Sequence, residues 1–264
     1  MGSTDDSGQE ASDILLKHWR DGTTLEELPD SVRPSNTVSG YDIQRHVERL
    51  SSKPLWGWKI AATGVAGQNH INVTRPLAGR ILAERVTDYG EPVPLGPNRM
   101  LVAELEFVFR MGKSLPPRDS PYEVREVMDA VSGLFLGSEI PDSRYADFTA
   151  VGAAQLIADN ACADRFVLGP EVTVDWRSKD LAAQVVKGWT SEGTARQGKG
   201  AEVLGDPKIA LTWIANELRE HGVTLNEGEY VTTGTCLIPM PIKPGVSATG
   251  DYGDFGTIQV NFVK

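Results

Sequence analysis

The segment from Met100 to Phe109 constrains the fold of this 264-residue chain more than any other stretch. Alternate residues of a β-strand share one face. One face of this segment is uniformly apolar and consists of Leu101, Ala103, Leu105, Phe107 and Phe109. The other face consists of Met100, Val102, Glu104, Glu106 and Val108. The pattern predicts a strand over Arg99–Arg110 whose apolar face lies in the core and whose opposite face carries two neighbouring carboxylates.

This carboxylate pair is costly to place beside apolar residues. At the rise of a strand, Glu104 and Glu106 lie roughly 7 Å apart, and like charges that lose hydration repel each other. Either one carboxyl group takes a proton or a hard divalent cation joins the two. The alternative is the solvated outer face of an edge strand.

A third acid, Glu139, lies near the end of the apolar segment Leu134–Ile140. A single acid is out of place in such a segment, which makes Glu139 the best candidate for a third metal ligand. The alternative is an ordinary acid at a strand end that faces water.

Composition and charge exclude several classes of protein. With 40% hydrophobic and 23% charged residues, the chain has the composition of an ordinary globular protein with a core. The formal net charge of -10 argues against nucleic acid as a partner, because a phosphate backbone needs a basic face. Cys162 and Cys236 are too far apart to form a metal motif, which fits a reducing compartment. Met1–Glu10 is too polar for a signal peptide and no apolar run is long enough to span a bilayer, so we expect a cytoplasmic protein without a membrane partner.

Hydrophobic periodicity and capping signals predict single helices early in the chain and strands in its centre and at its end. The predicted helices are Ala11–Arg20, Tyr41–Leu50, Ser120–Val131, Ser178–Lys187 and a helix from the Asp206-Pro207 cap to Gly222. The predicted strands are Trp56–Thr63, Arg99–Arg110, Gly133–Ile140, Tyr230–Thr233, Cys236–Met240 and Thr257–Val263. This order indicates an α+β fold with a large, mostly antiparallel sheet system.

Six short segments occur in an order that resembles one known family. They are Gly57-Trp58-Lys59-Ile60, Pro76-Leu77-Ala78-Gly79, Ala103-Glu104-Leu105-Glu106-Phe107, Glu139 followed by Asp142-Ser143-Arg144-Tyr145, Ala158-Asp159-Asn160-Ala161, and Thr233-Gly234-Thr235. From about Ser39 to the C-terminus, the chain resembles the 2-keto-4-pentenoate hydratase and 4-oxalocrotonate decarboxylase family of the fumarylacetoacetate hydrolase superfamily. The resemblance implies a fumarylacetoacetate-hydrolase-like mixed β-sheet roll with a small N-terminal helical layer. We expect a flexible tail over residues 1–10, the helical layer over 11–55 and a catalytic β-rich domain over 56–264.

The resemblance also assigns roles to individual residues. It implies that Glu104, Glu106 and Glu139 bind Mg²⁺ or Mn²⁺, which would chelate a 2-oxo or 2-hydroxy acid and act as a Lewis acid. Lys59 is the candidate for acid–base chemistry or for orienting the substrate carboxylate. Asp159 and Asn160 are candidates for positioning water or the substrate tail, the alternative being a plain turn. The candidate substrate-binding residues are Gly234 and Thr235, through their backbone, His70 at the entrance, and Leu77.

Two positions depart from the pattern of the family's hydratases. Leu77 stands where they usually carry an aspartate after the proline, and Cys162 stands where the family has a serine. We expect a hydratase-like, metal-dependent lyase of aromatic catabolism that acts on a small 2-oxo- or 2-hydroxy-dienoic acid. The alternatives are a 4-oxalocrotonate-type decarboxylase, a carbon–carbon hydrolase, or a non-catalytic partner subunit. The resemblance further implies a homo-oligomer and leaves open an association with a paralogous hydratase or decarboxylase.

Overall fold

The computed structural model describes the backbone of residues 4–264 and the side chains from residue 7 onward. The helices are α1 (Thr4–Asp21), α2 (Thr37–Gln44), α3 (Val65–His70), α4 (Val124–Asp129), α5 (Gly152–Ala158) and α6 (Pro207–Glu220). The first strands are β1 (Gly57–Ala61), β2 (Leu77–Ile81), β3 (Val86–Thr87), β4 (Val93–Pro94), β5 (Val102–Met111), β6 (Val131–Ile140) and β7 (Arg165–Glu171). The later strands are β8 (Val185–Thr190), β9 (Ala195–Lys199), β10 (Tyr230–Thr235), β11 (Met240–Pro241), β12 (Ser247–Asp251) and β13 (Thr257–Val263).

These strands form two sheets. The larger sheet has the order β2-β1-β10-β5-β6-β7-β3, with β11 also paired to β5, and the smaller sheet has the order β4-β13-β12-β8-β9. The pairs β1–β10, β4–β13 and β3–β7 are parallel. The other pairs are antiparallel, which confirms the expected mostly antiparallel system.

The apolar side of β5 forms the centre of the core between the two sheets. Leu105 and Phe107 are fully buried, and the Phe107 ring lies edge-on against Tyr252 and Phe255. The smaller sheet comes so close that a Cβ on Gly250 would lie 2.9 Å from the Leu105 side chain. Since β5 pairs on both sides within the larger sheet, it is a central strand and not the solvated edge strand of the alternative interpretation.

Leu101 is an exception to the predicted apolar face. It precedes β5, is 37% exposed and has a φ of 46°. The backbone N–H of Leu101 donates to the side-chain oxygen of Asn98 at 2.8 Å. The strand therefore begins at Val102, three residues later than the predicted start at Arg99, which is wrong.

The N-terminal helices pack beside the large sheet. Ala11 and Leu15 of α1 share a buried cluster with Ile43 of α2 and Ala158 of α5. Helix α1 begins at Thr4, earlier than the predicted start at Ala11, and the flexibility expected for residues 1–10 stays a prediction. Once buried residues anchor a helix, each further residue adds a hydrogen bond at little entropic cost. Residues 1–3 lie outside the described residues, and the division of the chain at residue 55 stays a prediction.

Local signals identified some elements and missed others. The Asp206 side chain caps α6 as predicted, accepting from the backbone of Lys208 at 2.8 Å. Helix α4 begins later than predicted, with Glu123 and Glu126 forming its capping box in place of the Ser120 segment.

The helix predicted over Ser178–Lys187 is wrong. A 3₁₀ turn at Trp176–Ser178 is followed by β8, whose residues alternate between exposed and buried. The strand predicted over Cys236–Met240 is also wrong, because β10 ends at Thr235 and β11 begins at Met240.

Candidate metal centre and cavity

The register between β5 and β6 brings three glutamates together. Glu104 lies directly opposite Glu139 in this antiparallel pair, and Glu106 lies opposite Gly137. Directly paired side chains in a sheet have Cβ atoms only about 5 Å apart. One carboxylate oxygen from each of the three glutamates lies within 4.8 Å of the others. The predicted convergence of Glu104, Glu106 and Glu139 is therefore what the structure has.

Burial makes these carboxyl groups resist ionisation. Glu106 and Glu139 are 0% and 2% exposed, and Glu104 is half-buried. Burial raises the pKa of Glu139 to about 7, although the ammonium group of Lys59 opposes the rise. Burial also raises the pKa of Glu104. Burial and then the charges of Glu139 and Glu104 raise the pKa of Glu106 well above its ordinary value.

The hydrogen bonding of the cluster is incomplete. Glu106 Oε2 accepts from the backbone N–H of Gly234 at 2.7 Å and from the hydroxyl of Thr232. Glu106 Oε1 and Glu139 Oε2 are buried and have no hydrogen-bond partner among the described residues. Orphaned carboxylate oxygens are costly in such a place, and they are the ligands that a hard divalent cation prefers. The donor set therefore fits a divalent metal ion.

Lys59 of β1 lies against this cluster. Its Nζ is 2.9 Å from Glu139 Oε1 and donates to the carbonyl oxygen of Ala161 at 2.9 Å. Burial alone would lower the pKa of Lys59, but the charges of Glu139 and Glu104 outweigh it and raise the pKa above its ordinary value. Lys59 is thus held as an ammonium ion, which can donate a hydrogen bond or a proton.

A cavity of about 540 Å³ opens above the cluster. Of the predicted site residues, the structure brings six to its wall, namely Lys59, His70, Leu77, Glu104, Gly234 and Thr235. His70 is an exposed residue at the end of α3, and its ring lies 5.8 Å from that of Phe148, edge to face. Cys162 also lines the cavity, and burial raises the pKa of its thiol to about 12, so it stays protonated.

Gly234 supports one of the glutamates. Its backbone N–H donates to Glu106, and its expected role toward the substrate carboxylate stays a prediction. The residue has a φ of 106°, and a Cβ there would lie 2.2 Å from the Thr63 hydroxyl oxygen. Only glycine fits this position. The hydroxyl of Thr235 donates to the carbonyl of Leu237 and shapes the adjoining loop.

Asp159 and Asn160 are not among the residues that line the cavity, and their expected contact with substrate or water stays a prediction. The buried carboxylate of Asp159 accepts from the Ser143 hydroxyl at 2.7 Å, the Arg144 backbone at 3.0 Å and the Arg144 guanidinium. The Asn160 side chain accepts from the Arg80 backbone N–H at 2.7 Å and donates to the Arg80 carbonyl at 2.8 Å. Arg144 therefore forms an ion pair with Asp159.

These contacts hold a backbone segment in a conformation that L-residues rarely adopt. Asn160, Ala161 and Cys162 have φ values of 56°, 50° and 61°. Positive φ in non-glycine residues is sustained only where the surroundings enforce it. The segment directs the Ala161 carbonyl to Lys59 and places Cys162 in the cavity wall.

Sequence reasoning missed much of the cavity wall. Its further residues include Thr63, Phe148, Gln197, Glu202 and Ile238. These residues come from segments far apart in the sequence and have no common spacing, so no local signal could have grouped them.

Solved structures with the same fold include two of 4-oxalocrotonate decarboxylase from Pseudomonas putida G7. The structure complexed with magnesium and adipate has a TM-score of 0.88, 21% sequence identity and 98% coverage of each chain. The structure complexed with calcium and acetate has a TM-score of 0.85 and 22% identity at the same coverage. This likeness confirms the predicted α+β fold with a mixed β-sheet roll and a small N-terminal helical layer. Among the described residues, no helix combines the length and apolarity needed to cross a membrane.

Sequence comparisons extend over almost the whole chain. A 2-hydroxyhexa-2,4-dienoate hydratase of Comamonas testosteroni is 30% identical, with 95% of each chain covered. A 2-keto-4-pentenoate hydratase of Paraburkholderia xenovorans is 26% identical, with 96% of this chain and 94% of the relative covered. Residues 59–262 match the model of the fumarylacetoacetate (FAA) hydrolase C-terminal domain. The chain belongs to the fumarylacetoacetate hydrolase family.

Proposed function

We propose that this protein is a divalent-metal-dependent hydratase that adds water to a small 2-hydroxy-dienoic acid of the 2-hydroxypenta-2,4-dienoate type. The observation that carries the proposal is the buried cluster of three glutamates beside a cavity large enough for such an acid. Support also comes from the relatives named as 2-keto-4-pentenoate and 2-hydroxyhexa-2,4-dienoate hydratases.

We assign Glu104, Glu106 and Glu139 as the metal ligands, with Mg²⁺ or Mn²⁺ as the ion. When bound, such an ion supplies Lewis-acid stabilisation of the negative charge that develops on the oxygens of a 2-oxo or 2-hydroxy acid. Burial raises the pKa of Glu106 and Glu139 and favours their protonated forms, so a cation must displace protons to bind and its affinity should rise with pH. A fold neighbour solved with magnesium supports a hard, oxygen-preferring ion.

Lys59 is the chain's own candidate for proton transfer. Its ammonium group lies between Glu139 and the strained segment that supplies the Ala161 carbonyl, so its position is fixed on two sides. A cation in this place attracts a substrate carboxylate and can give a proton to a carbon that gains electrons. His70 lies on the wall of the same cavity and is the candidate for guiding water at the entrance.

Leu77 is the feature that favours the alternative reaction. It is 1% exposed and lines the cavity at the position where hydratases of this kind usually carry an aspartate. A 4-oxalocrotonate-type decarboxylation therefore stays as the second candidate function, and the same assay separates the two.

The test is turnover by the purified protein with added magnesium. Loss of the dienoate absorbance of 2-hydroxypenta-2,4-dienoate, abolished by a chelator and restored by magnesium, is the expected result. Release of carbon dioxide from 2-oxo-hex-3-enedioate would instead establish the decarboxylase. The absence of turnover with both substrates would overturn the catalytic proposal and favour a non-catalytic partner subunit.

We also propose that the protein works in the cytoplasm as a homo-oligomer, alone or beside a paralogous hydratase or decarboxylase. Both cysteines are buried as free thiols, which fits a reducing compartment. Light scattering after size-exclusion chromatography measures the oligomer directly, and a monomeric mass would contradict it.

A further inference from the structure

The cavity is larger than the substrate of the proposed function requires. 2-Hydroxypenta-2,4-dienoate has five carbons and three oxygens, and at the roughly 30 Å³ that a water molecule occupies in the liquid it fills about 240 Å³. The cavity measures about 540 Å³. Even with a metal ion at the glutamates, more than a third of the space is left for a longer substrate.

The surplus space has an apolar wall. The side chains that form most of it are Ile71, Leu77, Met100, Phe148, Leu156 and Leu237. Leu156 is fully buried in α5, while Phe148 lies in the loop before that helix. An apolar wall of this kind binds methylene and methyl groups, each worth roughly 0.8 kcal/mol when buried.

The wall offers no free cation to a second carboxylate. Within the described part of the chain, Lys59 is the single lysine or arginine on this wall, and its amine is already engaged by Glu139 and Ala161. Among the described residues, the other ionisable groups of the wall, besides the metal cluster and His70, are the thiol of Cys162, which stays protonated, and the carboxylate of Glu202. Glu202 is exposed and belongs to the segment that packs on Gly64, where a Cβ would meet the Glu202 carbonyl at 3.2 Å.

We infer that the cavity selects monocarboxylic dienoates with an uncharged apolar tail beyond the fifth carbon and rejects those with a carboxylate at the far end. The inference rests on the proposed function for the acid-binding end of the cavity. Two effects reject the second carboxylate, namely the loss of hydration against the apolar wall and repulsion by Glu202. The first dominates, because an exposed charge such as that of Glu202 is screened by water and changes affinity only a few-fold.

Stable 2-oxo acids test the inference without turnover. Calorimetry on the magnesium-loaded protein compares 2-oxopentanoate, 2-oxooctanoate and 2-oxohexanedioate, which share the chelating end and differ in the tail. We expect 2-oxooctanoate to bind at least tenfold more tightly than 2-oxopentanoate, since three added methylenes are each worth up to about fourfold. We expect 2-oxohexanedioate to bind at least tenfold more weakly than 2-oxooctanoate.

A pair of charge-matched variants isolates the contribution of Glu202. Glu202→Gln is expected to raise the affinity for 2-oxohexanedioate relative to 2-oxooctanoate by about two- to fivefold. Glu26→Gln removes the same charge from an exposed position outside the cavity wall and should leave that ratio unchanged.

The two proposals fail in different ways. The tail selectivity is overturned if 2-oxooctanoate binds no more tightly than 2-oxopentanoate, or if 2-oxohexanedioate binds more tightly than 2-oxooctanoate. Neither result contradicts hydration of 2-hydroxypenta-2,4-dienoate. Absence of turnover with every dienoate overturns the hydratase, whereas the order of binding of the three 2-oxo acids is still measured and decides the inference by itself.

Discussion

Replacing Glu106 by glutamine should make the metal-free protein more stable, which is the reverse of the usual effect of altering a buried residue. The glutamine oxygen can still accept from Gly234 and Thr232, which donate to Glu106 Oε2. The new amide group lies where an orphaned oxygen lay and can donate to Glu104 or Glu139. The substitution thus removes a like charge and satisfies a buried polar atom in one step.

The pKa of Glu139 shows roughly what ionisation costs a carboxyl group buried in this cluster. A rise from its ordinary 4.5 to about 7 corresponds to roughly 3 kcal/mol of stability. Because the folded pKa is the higher one, this stability is present below about pH 4.5 and is lost as the pH rises to about 7. Glu106 carries a cost of this kind, because burial and then the charges of Glu139 and Glu104 raise its own pKa. Removing its charge gives an expected gain of about 1–3 kcal/mol for metal-free Glu106→Gln at pH 8, and the gain should shrink as the pH falls and the carboxyl groups take up protons.

Thermal unfolding with and without magnesium provides the assay. At a magnesium concentration about 100 times Kd, binding stabilises the native protein by about 2.7 kcal/mol, which is about 5–10 °C in Tm for a chain of this size. Without metal, the Glu106→Gln variant should have a higher Tm than the native protein. Adding magnesium should not shift the Tm of the variant. Glu217→Gln is the matched control, because Glu217 is also buried but is paired with Arg75. This control should lose stability and keep the magnesium shift.

Two results would refute the reasoning. A metal-free Glu106→Gln protein that is less stable than the native protein at pH 8 would show that the glutamates do not repel one another. A magnesium shift of native size in the variant would show that the ion binds elsewhere.

Three further predictions concern the pH, the hydratase position and the strained segment. Magnesium affinity should rise by about tenfold or more from pH 5 to pH 8, because burial raises the pKa of both Glu139 and Glu106 and each must lose its proton to bind the ion; calorimetry across this range that shows a flat profile would contradict it. Leu77→Asp should increase hydration relative to decarboxylation in the paired assay, and an unchanged ratio would remove Leu77 from the choice of reaction. Asn160→Ala removes both side-chain hydrogen bonds to the Arg80 backbone and should cost about 1–3 kcal/mol in urea unfolding. Because this change loosens the support of Lys59, kcat should fall while magnesium still binds, and a native kcat would contradict the positioning role.

Local sequence was sufficient to predict elements that have a periodic hydrophobic pattern or a capping residue. The alternation of β5 identified its core face, because each second side chain of a central strand must pack against the opposite sheet. Asp206 and Pro207 marked the start of α6, since a capping side chain acts on backbone within its own turn. The order of the family motifs likewise grouped Lys59 with the three glutamates from the sequence alone.

Signals failed where the same residues suit two conformations. The Ser178–Lys187 stretch contains good helix formers, but the partner strands β9 and β12 impose an extended β8 on its end. Helix propensity is a fraction of a kilocalorie per residue, and such pairing outweighs it. From the sequence, Asp159 and Asn160 were candidates for a catalytic role. Only the tertiary structure shows that their side chains hold the strained segment in place.

The sequence by itself determined that the chain has a carboxylate pair on a core strand, an α+β fold and a place in a known family. The tertiary structure alone decided that Glu139 lies opposite Glu104, that Lys59 is held by Ala161, and that loops distant in sequence enclose an apolar cavity. Strand register and loop closure join residues far apart along the chain. The free energy of these contacts depends on the whole packed core, which no short window of residues contains.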